Sequence, residues 1–111
     1  MHLLIFEDNL IWSERLRKTI SALGHQATVI SRLKPSYPEA EIAILNFGSD
    51  TLWNPDLVRN LKSQNLILIG HAGHKEKQKL AEGREAGIDH VVTNSELTFK
   101  LDQILQRINT Q

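Results

Sequence analysis

Short apolar runs alternate with amphipathic stretches along the whole chain. LLIF at 3–6 is apolar at every position and bounded by polar residues, the pattern of a strand covered on both faces. From Ile11 to Leu23 the residues Ile11, Leu16, Ile20 and Leu23 recur at helical spacing, and Gly24 stands where that helix stops. ATVI at 27–30 predicts a second, weaker strand suited to a sheet edge, IAIL at 42–45 a third, LILI at 66–69 a fourth and IDHVV at 88–92 a fifth. Between the second and third strands Pro35 and Pro38 restrict any helix to a short or distorted one. A helix is predicted over 54–64, capped by Asn54 with Pro55 at its first position. A polar helix follows over 75–87, where Gly83 costs up to about 1 kcal/mol relative to alanine and Gly87 marks the end. The last helix, 95–108, starts at Ser95 and carries Leu97, Leu101, Ile104, Leu105 and Ile108 on one stripe.

Strands that alternate with helical crossovers build a mainly parallel α/β sheet, and right-handed crossovers place helices on both of its faces. In such folds the working groups gather beyond the carboxyl ends of the strands. Here those ends carry Glu7 and Asp8, Asn46 to Gly48, Gly70 and His71, and Thr93 and Asn94.

Composition narrows the function. A chain of 111 residues with 41% hydrophobic and 23% charged content has the size of one globular domain spanning 1–111. Thirteen basic and thirteen acidic side chains cancel, so no direct nucleic-acid or membrane partner is expected. Cysteine is absent, which excludes disulfides, thiolate catalysis and cysteine-based zinc sites. The first residues, MHLLIFEDN, are unlike a signal peptide and no run is long enough to span a bilayer, so the expected location is cytoplasmic.

Three stretches, LLIFEDN at 3–9, LGHQATV at 23–29 and AGIDHVVTN at 86–94, resemble in order and spacing the receiver domains of two-component response regulators. The resemblance implies a flavodoxin-like, doubly wound five-stranded sheet of order 2-1-3-4-5 in a three-layer sandwich. It matches Glu7 and Asp8 to the acidic pair that holds magnesium in that family, an ion that wants hard oxygen ligands. Asn46 falls where the phosphoryl-accepting aspartate stands, and an amide is a poor nucleophile. Gly70 matches the hydroxyl residue that bonds the phosphoryl group, Asn94 the lysine that pairs with it, Ser95 the proline after that lysine, and Val91 the switching aromatic. Acceptor, hydroxyl, lysine and switch are absent together, the pattern of a degenerate receiver, or pseudo-receiver, that is not an enzyme. The expectation is a signalling domain that binds a kinase, an output protein or a second copy without phosphorylation. Its expected contact face carries Lys75, Lys79, Glu82, Arg84, Glu85, His90, Lys100 and Gln103.

Other readings rest on fewer residues. No cofactor is expected, and magnesium at Glu7 and Asp8 is expected to be weak because Asn46 removes a charge. An alternative is a phosphorelay receiver still phosphorylated or metal-bound at another carboxylate, Asp8 or Asp50. Without a lysine and hydroxyl, charge developing on the phosphoryl oxygens lacks its partners. His71 and His74 stand three apart, a spacing compatible with metal ligation, but no cysteine is present to complete a shell and only the acids at the other strand ends could help. A flavin or redox module would want phosphate-cradling loops that are missing here. Trp53, after the third strand, is expected either to fill the degenerate pocket or to pack on the neighbouring helix, and Trp12 to belong to core or rim.

Overall fold

The computed structural model describes residues 1–49 and 51–109. Its elements run β1 (His2–Phe6), α1 (Leu10–Ala22), β2 (Gln26–Ile30), β3 (Ile42–Asn46), α2 (Pro55–Ser63), β4 (Ile67–Ala72), α3 (Lys77–Glu85), β5 (His90–Thr93) and α4 (Asn94–Asn109). All strands pair in parallel in the order β2-β1-β3-β4-β5, the flavodoxin-like arrangement.

The continuous apolar runs are explained by two buried faces. Leu3, Ile5, Ile42, Ile44 and Ile69 point to one side, where they meet Leu16 and Ile20 of α1 and the stripe Leu97, Leu101, Ile104, Leu105 and Ile108 of α4. Leu4, Phe6, Ala43, Leu45 and Leu68 point to the other, against Leu57, Val58 and Leu61 of α2 and Leu80 of α3. Side chains alternate at period two, so each strand feeds both layers. The result is a three-layer sandwich.

The helix starts follow their caps. Asn9 Oδ1 accepts the Trp12 amide at the start of α1, and Asn54 Oδ1 accepts the Asp56 amide behind Pro55 at α2. α4 differs from the sequence expectation: Thr93 and Glu96 bond each other's backbone amides in a capping box, so the helix begins at Asn94 directly from β5. It departs from helical dihedrals at Lys100, φ −124° and ψ 17°. The crossover 31–41 contains no helix among its residues; Tyr37 closes that side by packing edge-on against Phe6, with ring centroids 5.0 Å apart.

Gly83 has a packing reason. Phe47 inserts its ring between β4 and α3, and a Cβ on Gly70 would fall 2.0 Å, and one on Gly83 2.2 Å, from its Cζ. Only glycine leaves room for the ring at both positions.

Candidate functional site

The carboxyl ends of β1, β3 and β4 and the start of α4 surround a hollow of about 270 Å³ lined by Glu7, Asp8, Asn9, Trp12, Asn46, His71 and Asn94. A larger hollow of about 590 Å³ lies at the opposite end of the sheet, by the amino ends of the strands, but its imidazole, His2, is engaged on both nitrogens by the Glu39 carbonyl and the Thr28 hydroxyl. The chemistry is concentrated at the first.

Period two explains which residues converge. Glu7 continues the face of Leu3 and Ile5, Asn46 that of Ile44, and His71 that of Ile69, so all three project on the α1 and α4 side. Asn46 pairs in register with His71. Gly70 pairs instead with Leu45 and Val91, on the face that packs against Phe47. The match of Gly70 to the pocket is therefore corrected: the β4 side chain at the hollow is His71, and Gly70 is bare because Phe47 occupies its Cβ position. Val91 lies on that second face too, against the apolar core.

Asn46 reaches across to Glu7. Its Nδ2 donates to Glu7 Oε1 at 2.9 Å and to Oε2 at 3.2 Å, while its Oδ1 accepts the Gly48 amide. Glu7 Oε2 also accepts the amides of Asp8 and Asn9. Burial raises the Glu7 pKa above the ordinary carboxylate value, against the lowering effect of the bonds from Asn9 and Asn46. Asp8 is exposed, and its Oδ2 accepts the hydroxyls of Ser49 at 2.9 Å and Thr51 at 3.0 Å. Those two bonds lower its pKa.

This donor set does not fit magnesium. Both Glu7 oxygens face N–H protons, one Asp8 oxygen is held by two hydroxyls, and Asn46 presents its NH₂ rather than its oxygen to the acids. A hard cation needs several free oxygen lone pairs. Among the described residues no group of three His, Cys, Asp or Glu is placed to hold a metal ion, and His74 is exposed beyond β4, away from the buried His71.

His71 is 2% exposed. Its ring stacks on Trp12, with centroids 4.7 Å apart, and its Nδ1 lies 2.6 Å from Asn94 Oδ1. An oxygen partner makes Nδ1 the donor, which leaves Nε2 as a buried lone pair without a partner. Desolvation lowers the pKa to about 4, the Asn94 bond opposing it. The imidazole is thus neutral and ties α1, β4 and α4 together.

Sequence reasoning placed Glu7, Asp8, Asn46 and Asn94 at one sheet end, and the structure brings these four to the same hollow. It missed Trp12, Ser49 and Thr51. Trp53 lies outside the hollow, edge-on to Phe47 at 4.7 Å, so the tryptophan at the site is Trp12. The alternation of Ile69 and His71 was the available signal for the histidine. Asp50 lies outside the described residues.

The comparisons agree on one architecture. The receiver domain of response regulator 1452 from Francisella superposes with a TM-score of 0.71 at 16% identity, covering 96% of this chain and 98% of that one. A signal receiver domain from Bermanella marisrubri gives 0.77 at 19% identity, over 98% and 95% of the two chains. The receiver domain of a signal transduction histidine kinase from Syntrophus aciditrophicus gives 0.75 at 20%, over 96% and 87%. The chain has the receiver fold. No family model matches it, and no curated protein sequence is significantly similar to it. No helix of the described residues is long and apolar enough to cross a membrane.

Proposed function

We propose that this receiver-fold protein is a pseudo-receiver, a signalling domain that recognises protein partners without aspartyl phosphorylation. The observation that carries this reading is the Asn46 amide bonded to both oxygens of Glu7. At the place where a receiver needs a nucleophile and a metal, this chain has a neutral side chain that satisfies the neighbouring acid. Asn94 supplies no cation, and His71 is held neutral by burial. Charge on a transferring phosphoryl group would have no fixed partner here.

A kinase or output protein is the class of partner that suits such a domain. The side of the molecule formed by α3, β5 and α4 carries Lys75, Lys79, Glu82, His90, Lys100 and Gln103. It is polar, and Lys79 is already paired with Glu76 at 3.5 Å. Such a face favours a transient, salt-sensitive contact over a permanent one.

Incubation with acetyl phosphate and magnesium, followed by intact-mass measurement, tests the reading. An unchanged mass is expected. A phosphorylated product would overturn it, and peptide mapping to Asp8 or Asp50 would then identify a non-standard acceptor.

A further inference from the structure

The most exposed large apolar side chains among the described residues are Phe99, at 83%, and Ile11, at 79%. They stand on α4 and α1, the two helices that cover one face of the sheet, and not on the polar α3 side. Thr98 lines a narrow groove together with Trp12, Arg15, Leu16 and Thr19, so it sits beside the middle of that stretch of α1. α1 and α4 both return from parallel strands and therefore run parallel to each other. At about 1.5 Å of rise per residue, Arg15 then stands within about one turn of Phe99, and Lys18 within about one turn of Asp102.

This arrangement complements itself. Arg15 and Lys18 are exposed cations on α1, and Asp102 is an exposed carboxylate on α4. A twofold axis along the helices lays α1 of each copy over α4 of the other, which sets Lys18 against Asp102 and Arg15 across the Phe99 ring, twice per dimer. Zero net charge removes long-range repulsion between copies. An exposed aromatic with charges around it matches an interface patch of apolar centre and polar rim. We infer that the α1/α4 face is the contact between two copies of this chain, a symmetric dimer that forms without phosphorylation. The same helices carry Trp12 and Asn94, whose contacts with His71 hold the face in one arrangement. The inference rests on the phosphorylation-independent reading above and names a second copy as partner of that domain.

Sedimentation velocity on the full chain over a concentration series tests it. The wild type should dimerise without magnesium or phosphodonor, and Phe99→Ser should be monomeric. Lys18→Asp and Asp102→Lys should each weaken the dimer by roughly tenfold or more, and the double variant Lys18→Asp/Asp102→Lys should restore it. All four variants are read with a thermal melt in parallel, since exposed substitutions leave the fold intact. A monomeric wild type, or a double variant no more dimeric than the singles, would overturn the inference and leave the functional reading standing. Dimerisation only with magnesium and beryllofluoride would overturn both the inference and the functional reading.

Discussion

Asn46 and an aspartate differ by an NH₂ in place of an oxygen, and at this position that difference decides the sign of a contact. The amide donates to both Glu7 oxygens, whereas a carboxylate would repel them. Asn46→Asp should therefore lower stability by about 1–3 kcal/mol in the absence of divalent ions, and magnesium should recover part of the loss. Thermal unfolding with and without magnesium checks both halves; equal melting temperatures for variant and wild type would contradict the account. His71 makes a second residue-scale prediction. Folded, it stays neutral down to about pH 4, whereas in the unfolded chain it protonates near 6.5. The unfolded state then binds more protons between those values, so stability is full above pH 6.5 and falls as pH drops toward 4, by on the order of 3 kcal/mol. Glu7, with a raised pKa, acts in the opposite sense at the acid end, contributing most at low pH. Substitution His71→Phe should flatten the slope of melting temperature against pH in that window; an unaltered slope would place the titration on another group.

At the scale of elements, β4 and α3 are spaced by the Phe47 ring. Gly70→Ser, which would restore a family-like hydroxyl on paper, drives a Cβ into that ring and should cost about 1–3 kcal/mol or more, with no gain in phosphate affinity. The penalty should shrink in a Phe47→Ala background, a non-additivity that a double-mutant cycle of denaturant unfolding measures. Additive losses would mean that the two residues do not share the space. This element also marks a limit of sequence reading. LILI at 66–69 announced β4, but its extension to Ala72, and so the side on which His71 falls, depended on parallel pairing with β3. The start of α4 was legible in principle from Thr93 and Glu96, a spacing that outcompeted Ser95 as cap. The segment 31–41 lacks a helix for the reason its prolines suggested.

At the scale of the molecule, the fold was readable because its strands are apolar on both faces and its amphipathic helices alternate with them, a pattern few topologies satisfy. The site was readable only where a family motif met a strand end: Glu7, Asp8, Asn46 and Asn94. Trp12, Ser49 and Thr51 came from contacts between elements far apart in sequence, which no local pattern records. Those contacts together describe a pocket whose acids are bonded to amides and hydroxyls and whose imidazole is uncharged, with only His71 Nε2 left without a partner among its described buried side-chain atoms. Such a pocket is expected to give no response to a phosphoryl group. The most direct measurement adds magnesium and then beryllofluoride, a phosphoryl mimic, to a Trp53→Phe variant while following Trp12 fluorescence and the backbone amides of Asn46, His71 and Asn94. The account predicts no saturable change from a folded protein. A saturable, magnesium-dependent response would contradict it and return the chain to phosphorylation-driven signalling.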